Sequence, residues 1–142
     1  MIALACDHGG FELMGLVKQF LDEHRYKYKE FGTFSTESVD YPTFAVPAGH
    51  AVAEGSCDRG IFICGTGIGM SIAANKIPGI RAALCTTAFM AEMSRCHNDA
   101  NVLCLGARVL DVDAAIMLVR IFLNTGFEGG RHSLRVAMLD KM

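Results

Sequence analysis

The sequence contains no apolar run that approaches the ~20 residues needed to span a bilayer, so no membrane-spanning helix is expected. It also lacks an excess of positive charge: the net charge is −2, which gives a nucleic-acid partner no electrostatic support. The first residues, Met1–Cys6, are too few and too uncharged for a secretory signal, and they predict a strand that starts at once. We therefore expect a cytoplasmic protein whose partners include neither a membrane nor a nucleic acid.

Metal-ligating patterns are missing as well. The six cysteines form no Cys-x-x-Cys pair and no Cys/His ligand spacing, so no metal site is predicted. In a chain of this size without a secretion signal, they are expected to be reduced thiols. Four of them lie in apolar runs, where cysteine behaves as a small hydrophobic residue: Cys6, Cys64, Cys85 and Cys104.

What the sequence does contain is a high fraction of apolar residues in short runs. Of the 142 residues, 51% are hydrophobic and 20% are charged, which supports one domain over residues 1–142 with a well-buried core. The short runs alternate with amphipathic stretches of helical period. The predicted strands are Ile2–Cys6, Tyr26–Phe31, Gly60–Cys64, Ile80–Cys85 and Val102–Leu105. The predicted helices are Phe11–His24, Pro42–Glu54, Ile68–Lys76, Thr87–Cys96, Asp111–Asn124 and Arg131–Lys141.

This alternation predicts an α/β protein, with a three-layer α/β/α, Rossmann-like fold, a five-stranded parallel sheet and a C-terminal helix. In open sheets of this kind, ligands bind at the carboxyl ends of the strands. Asp7 and His8 follow the first predicted strand, Cys64 ends the third, and Arg108 follows the fifth. These side chains are therefore candidates for one site.

The most distinctive segment is a buried-type strand followed by three glycines at alternate positions: Gly65, Gly67 and Gly69. A glycine turn that leads into a helix directs unpaired backbone N–H groups at one point, which suits an anion. Here the glycines either permit a tight turn or let the N–H groups, with Ser71, approach an oxyanion. Cys64 is either a catalytic thiol, with its thiolate stabilised by the helix dipole, or a buried cysteine at a strand end. Position alone leaves both interpretations open.

Nucleotide-binding fingerprints are absent from this turn. The last glycine of a Gly-x-Gly-x-x-Gly motif is replaced by Met70, and the acidic residue expected about 20 positions further on is missing. There is also no Gly-Lys-Ser/Thr phosphate loop. A small anion is therefore predicted, rather than a dinucleotide or a nucleoside triphosphate.

Two further groups of polar residues lie outside the turn. His97 and Asn98 precede the fifth strand, and His97 is either a cation at a helix C-terminus or a general acid. Arg131 and Arg135 are four residues apart on the last helix and share one face. Two cations at a helix start oppose its dipole, so they form either a solvated face or a binding site for a phosphate.

Seven segments carry a resemblance that covers essentially the whole chain. They are Cys6-Asp7-His8-Gly9-Gly10-Phe11, Asp40-Tyr41-Pro42, Cys64-Gly65-Thr66-Gly67-Ile68-Gly69-Met70-Ser71-Ile72-Ala73-Ala74-Asn75-Lys76, Gly79-Ile80-Arg81-Ala82, His97-Asn98-Asp99-Ala100-Asn101-Val102-Leu103, Gly106-Ala107-Arg108-Val109 and Glu128-Gly129-Gly130-Arg131-His132. In their order and spacing, the sequence resembles the ribose-5-phosphate isomerase B family, which also includes galactose-6-phosphate and allose-6-phosphate isomerases.

The resemblance implies an aldose–ketose isomerase that acts on a small sugar phosphate and needs no metal or organic cofactor. It implies that Cys64 removes the C2 proton and returns it at C1, that Thr66 assists proton movement, and that His97 opens the furanose ring. The residues it assigns to the phosphate are His8, Arg108, Arg131 and Arg135. Those it assigns to the rest of the substrate are Asp7, Tyr41, Gly65, Gly67, Gly69, Ser71 and Asn98.

The resemblance also implies a homodimer whose active sites are shared between two subunits, with a tetramer left open. The expected reaction is the interconversion of ribose 5-phosphate and ribulose 5-phosphate. Isomerisation of allose 6-phosphate or galactose 6-phosphate is an alternative, as is a non-catalytic subunit that binds a sugar phosphate. A redox or flavin-binding module on a similar α/β fold is a third hypothesis.

Overall fold

The computed structural model describes residues 1–142 and contains one sheet of five strands. The strands are β1 (Ile2–Cys6), β2 (Tyr28–Glu30), β3 (Arg59–Cys64), β4 (Ala82–Leu84) and β5 (Val102–Gly106). They lie in the order β2-β1-β3-β5-β4, and all neighbouring strands are parallel. All the strands therefore end at the same edge of the sheet, which we call the carboxyl edge; the opposite one is the amino edge.

Helices cover both faces of this sheet. The helices are α1 (Phe11–Glu23), α2 (Pro42–Ala53), α3 (Ile68–Asn75), α4 (Ala88–Cys96), α5 (Val112–Asn124) and α6 (Arg131–Asp140). Helices α1, α4 and α5 bury apolar side chains against one face, and α2 and α3 do so against the other. The predicted three-layer α/β/α fold with a parallel sheet and a C-terminal helix is confirmed.

The interior strand β1 shows how the sequence builds the two faces. Side chains alternate between the faces of a strand, so Ile2 and Leu4 enter the core on the α1 side. Ala3 and Ala5 point to the other face, where α2 and α3 pack. Small side chains on that face allow the helices to approach closely, and all five residues of β1 are buried. Burial on both faces explains why this strand reads as an uninterrupted apolar run.

The two edge strands are shorter than the sequence predicts. The apolar runs predict strands over Tyr26–Phe31 and Ile80–Cys85, whereas β2 and β4 each have three residues. β2 pairs only with β1, and β4 pairs only with β5. The flanking residues keep only single backbone hydrogen bonds to the neighbouring strand, such as those from Phe31 N–H to the Leu4 carbonyl and from Cys85 N–H to the Cys104 carbonyl.

The last helix, α6, lies at the amino edge of the sheet. Its only buried residues are His132 and Val136, whereas Leu134 and Met138 are 71% and 59% exposed. A salt bridge of 2.7 Å joins Asp140 to Arg81, which precedes β4 and so fixes the helix at this edge. No helix in the structure is both long enough and apolar enough to cross a membrane.

Candidate active site

The turn between β3 and α3 places a thiol at a helix N-terminus. Cys64 is the last residue of β3, and the cap of α3 is Gly67, whose φ of 80° is a left-handed conformation that favours glycine. In this conformation the N–H of Gly67 donates to the Sγ of Cys64 over 3.1 Å. Both this donor and the positive end of the helix dipole stabilise a thiolate. These contacts favour the catalytic interpretation of Cys64 over a packing role.

The first turn of α3 supplies free backbone donors next to this sulfur. The N–H groups of Gly69 and Met70 have no acceptor within the chain, as expected at a helix start. Ser71 differs, because its N–H donates to the carbonyl of Gly67 at 3.0 Å and its hydroxyl donates to the carbonyl of Ile68 at 2.7 Å. The donors available to an oxyanion are therefore those of Gly69 and Met70, and Ser71 retains only oxygen lone pairs.

Thr66 lies between the thiol and these donors. Its Oγ1 accepts a hydrogen bond from the N–H of Ile68 at 3.2 Å, which fixes the oxygen while leaving its proton free to be donated. The residue is exposed at the carboxyl edge of the sheet. A hydroxyl held in this way can pass a proton between two neighbouring oxygen atoms of a substrate.

The turn after β1 brings two polar side chains to the same edge. Asp7 is 8% exposed, and its Oδ1 accepts a hydrogen bond from the N–H of Gly10 at 3.1 Å. The Nδ1 of His8 accepts from the N–H of Val39 at 3.1 Å, so in the neutral ring the proton lies on Nε2. His8 can therefore donate through Nε2 to an anionic ligand.

Two larger side chains cover the glycine turn, and glycine is what allows them to approach. A Cβ on Gly65 would lie 3.0 Å from Nη1 of Arg108, so the guanidinium sits directly over the turn. A Cβ on Gly69 would lie 2.6 Å from the ring of Tyr41. The structure thus brings the predicted residues of the carboxyl edge together around Cys64: Asp7, His8, Tyr41, Gly65, Thr66, Gly67, Gly69, Ser71 and Arg108. We call this group the carboxyl-edge cluster.

Three other cysteines behave as packing residues. Burial raises the pKa of Cys6 and of Cys85 to about 11, and it raises the pKa of the fully buried Cys104 well above its usual range. All six cysteines are free and buried, as expected for reduced thiols in apolar segments. Among these four cysteines, Cys64 is the one whose sulfur accepts a backbone hydrogen bond at a helix start.

The remaining predicted residues lie at the amino edge. His97 caps the end of α4, and its ring stacks on that of His132, with centroids 4.1 Å apart and planes inclined by 12°. Glu128 Oε2 is 4.0 Å from Nε2 of His97 and 3.8 Å from Nε2 of His132. Burial, with help from the charges of His97 and Arg131, lowers the pKa of His132.

We call this second group the amino-edge cluster; its members are His97, Asn98, Glu128, Arg131, His132 and Arg135. Glu128 and His132 were not predicted as site residues. The sequence feature that could have indicated them is their four-residue spacing near the start of a predicted helix, because side chains four residues apart on a helix share one face.

One chain does not bring the two clusters together. His97 precedes β5 and Cys64 ends β3, and β3 and β5 are neighbours in a parallel sheet. The five residues of β5 separate the two edges by about 15 Å at ~3.3 Å per residue. A small sugar at Cys64 therefore does not reach His97 of the same chain.

The comparisons with known proteins identify the family. Residues 2–139 match the family model described as Ribose/Galactose Isomerase. The chain belongs to the ribose/galactose isomerase family. The relative from Escherichia coli (strain K12), named ribose-5-phosphate isomerase B, is 48% identical over 135 residues, covering 95% of this chain and 91% of the relative. The family resemblance in the sequence is thereby confirmed, and the protein is an isomerase.

Solved structures of ribose-5-phosphate isomerase B support the same assignment. The structure from Clostridium thermocellum has a TM-score of 0.97 at 52% identity, covering 99% of this chain and 95% of that one. The structure from Thermotoga maritima has a TM-score of 0.96 at 45% identity, covering 99% and 97%. This member of the ribose/galactose isomerase family therefore shares the fold of these enzymes over nearly its whole length.

The amino-edge cluster also contains ligand atoms that could surround a cation. The side-chain donors of His97, Glu128 and His132 lie within 4.8 Å of one another, and nitrogen with carboxylate donors suits zinc. However, burial lowers the pKa of His132, and the positive charges of Arg131 and Arg135 lie close enough to lower it further. The same charges repel a metal ion and attract an anion. In this ribose/galactose isomerase family member, the charges of the cluster therefore suit an anion better than a metal ion.

Proposed function

We propose that the protein interconverts ribose 5-phosphate and ribulose 5-phosphate through an enediolate intermediate. The observation that carries this proposal is the arrangement at the start of α3, where the sulfur of Cys64 accepts the N–H of Gly67 and lies beside unpaired donors of Gly69 and Met70. This pairs a base with an oxyanion site, which is what proton abstraction next to a carbonyl requires. The choice of sugar rests on relatives named ribose-5-phosphate isomerase B.

In the proposed reaction, the Cys64 thiolate takes the proton from C2 of the open-chain aldose. The electrons of that C–H bond form the C1=C2 double bond, and the carbonyl oxygen takes the negative charge. The free N–H groups of Gly69 and Met70 stabilise this oxygen. Thr66 moves a proton between the O1 and O2 atoms, and the Cys64 thiol then returns its proton to C1, which gives the ketose.

Ring opening precedes this step, since ribose 5-phosphate is mainly a furanose. We assign it to His97, which donates a proton to the ring oxygen as the C1–O bond breaks, while the C1 hydroxyl releases its proton to water and becomes the carbonyl. Asp7, Tyr41 and Asn98 contact the sugar hydroxyls in this proposal. In this proposal the phosphate is bound by Nε2–H of His8 and by three guanidinium groups of the two clusters, those of Arg108, Arg131 and Arg135.

The active site is proposed to combine the carboxyl-edge cluster of one subunit with the amino-edge cluster of a second copy. The separation of about 15 Å between the edges supports this arrangement, since one chain cannot supply both Cys64 and His97 to one small sugar. A symmetric dimer then contains two identical composite sites.

The role of Cys64 is tested by Cys64→Ala, with Cys57→Ala as the matched control. Cys57 is also buried but lies in the turn before β3, at the amino edge. We expect kcat of Cys64→Ala to fall by about 10²–10⁴, the usual contribution of a positioned base, and Cys57→Ala to keep its activity. Undiminished isomerisation by folded Cys64→Ala protein would exclude the cysteine base.

The shared site is tested by mixing two inactive variants, Cys64→Ala and His97→Asn. In a mixed dimer, one site combines the intact Cys64 of one chain with the intact His97 of the other. Random pairing of equal amounts should restore about a quarter of the wild-type activity after dissociation and reassociation. Persistent inactivity of a mixture shown to contain mixed dimers would exclude a site shared in this way.

The sugar is tested by comparing kcat/KM for ribose 5-phosphate with that for allose 6-phosphate and galactose 6-phosphate. We expect ribose 5-phosphate to give the highest value. A higher kcat/KM for either hexose phosphate would reassign the substrate. Absence of turnover on all three, together with thermal stabilisation by phosphate, would indicate a non-catalytic binding subunit.

A further inference from the structure

The loop that carries His97 and Asn98 is held by ionic contacts that have no role in the mechanism proposed above. It joins α4 to β5 and spans residues 97–101. Three charged side chains hold it in place: Asp99 within the loop, and Arg81 and Arg95 outside it. We call these the anchor residues.

Arg95 is the buried member of the anchor. It is 5% exposed, although arginine is almost never fully buried without partners. Its Nη1 donates to Oδ1 of Asp99 at 2.9 Å and to the carbonyl of Ala100 at 2.6 Å. Its Nε donates to the carbonyl of Thr125 at 3.1 Å. One guanidinium therefore ties the loop to the segment that follows α5.

Arg81 holds the loop from the other side. Its Nε donates to the backbone carbonyl of Asp99 at 3.0 Å, and its Nη2 is 3.6 Å from the Asp99 carboxylate. Its Nη1 donates to Asp140 at 2.7 Å. Asp140 belongs to α6, the helix that also carries Arg131 and Arg135. The loop of His97 and the phosphate-binding helix are thus joined through a single side chain.

Asp99 is the point at which these contacts meet. Its φ of 46° is left-handed, a conformation that aspartate adopts more readily than most side chains. The reversal places the Asp99 carboxylate between Arg95 and Arg81 only two residues after His97. A planar guanidinium on each side restricts the carboxylate more than a flexible ammonium would.

We propose that Asp99, held between Arg95 and Arg81, is a positioning residue for His97 in opening the sugar ring. This inference rests on the proposed function. Asp99 touches no substrate; it fixes the backbone from which His97 reaches the ring oxygen, and it keeps that backbone in register with the phosphate-binding residues of α6. Ring opening depends on this distance, because proton transfer requires hydrogen-bond contact with the ring oxygen.

The test separates ring opening from proton transfer. Ribose 5-phosphate must be opened before isomerisation, whereas ribulose 5-phosphate, with its C5 oxygen phosphorylated, is already open-chain. Exchange of the C1 proton of ribulose 5-phosphate with solvent therefore needs proton transfer at Cys64 but no ring opening or closure. A defect confined to ring opening lowers net isomerisation and spares this exchange, whereas loss of folded protein, or damage near Cys64, lowers both rates together.

The variants are Asp99→Asn, which keeps a side chain that tolerates the left-handed conformation, and Arg81→Lys, which keeps the charge but loses the planar fork. For both we expect kcat/KM for net isomerisation of ribose 5-phosphate to fall about 10- to 100-fold, as for small misplacements of a catalytic group, with the rate of C1 proton exchange in ribulose 5-phosphate changed less than about threefold. The matched control is Asp58→Asn, which breaks an exposed ion pair to the N-terminus, and should leave both net isomerisation and C1 proton exchange unchanged.

His97→Asn separates this inference from the function on which it rests. If His97→Asn loses net isomerisation but keeps C1 proton exchange, and the two anchor variants keep net isomerisation, the positioning role is overturned and the ring-opening role of His97 stands. If His97→Asn changes the two rates equally, the ring-opening role itself is wrong. Equal losses of both rates for Asp99→Asn and Arg81→Lys would also overturn the positioning role.

Discussion

Replacing Gly69 by alanine should impair catalysis while leaving the fold intact. Gly69 is the second residue of α3, and a Cβ built on it lies 2.6–3.0 Å from three atoms of the Tyr41 ring. Ordinary contact requires 3.4–4 Å. The ring must therefore retreat by about 1 Å, which it can do because the contacted atoms lie at the far end of a half-buried side chain.

The two consequences of this substitution differ in size. In a helix, alanine is favoured over glycine by roughly 0.8–1 kcal/mol, which offsets an overpacking cost of about 1 kcal/mol at a side chain that can move. The net change in the free energy of unfolding should be within about 1 kcal/mol. A 1 Å displacement in an active site can lower kcat/KM about 100-fold, which corresponds to about 2.7 kcal/mol of transition-state stabilisation.

The assay is kcat/KM for ribose 5-phosphate, measured alongside urea unfolding. The matched control is Gly15→Ala in α1, where a Cβ meets no atom within 4 Å. Gly15→Ala should gain roughly 0.5–1 kcal/mol of stability with unchanged kinetics. Unchanged kcat/KM in folded Gly69→Ala protein would refute the placement of Tyr41 and the glycine turn in the active site.

Three further predictions concern thiols, pH and the phosphate. Iodoacetamide should label Cys64 before Cys6 or Cys85, because the raised pKa values of about 11 keep those two thiols protonated. Mass spectrometry of the peptides should show that labelling of Cys64 and loss of activity increase together. The pKa of His132 is lowered in the folded protein, so the unfolded chain binds more protons than the folded one as the pH falls through the ordinary histidine pKa of about 6.5, and stability decreases. His132→Gln removes this group and should therefore lose less melting temperature than the wild type between about pH 7.5 and 5.5. Arg131→Ala should raise KM for ribose 5-phosphate about 10-fold or more, with a smaller change in kcat.

Each of these has a contrary outcome. Earlier labelling of Cys6 or Cys85 would show that burial does not control thiol reactivity here. An equal loss of melting temperature in His132→Gln and the wild type would assign the acid sensitivity to other groups. A fall in kcat with unchanged KM in Arg131→Ala would indicate that this side chain acts in the transition state rather than in binding phosphate.

The sequence predicts the fold well because its buried strands have a pattern that few other structures share. β1 and β3 are apolar at nearly every position, which requires cover on both faces. The errors fall at the edge strands β2 and β4, where hydrogen bonding on one side decides how far the ladder continues. The length of an edge strand depends on the path of the neighbouring strand, and the local sequence pattern holds no information about that path.

The candidate site was predictable only where strand ends determine it. Asp7, Cys64 and Arg108 follow from their positions after strands of one parallel sheet. The stacking of His97 on His132 did not follow, because it depends on where α6 packs. The sequence also could not show that the N–H and hydroxyl of Ser71 already donate hydrogen bonds within the chain, because only the hydrogen bonds of α3 distinguish these donors from the free ones.

The distance between the two edges of the sheet has a consequence for enzymology at low concentration. If a site is composed of residues from two chains, dilution removes sites even though every chain stays folded. Specific activity should then decrease at low enzyme concentration, and the concentration at half-maximal specific activity reports the dissociation constant of the dimer. Assays at different enzyme dilutions therefore test the proposed shared site, because a specific activity that does not depend on concentration would argue against it.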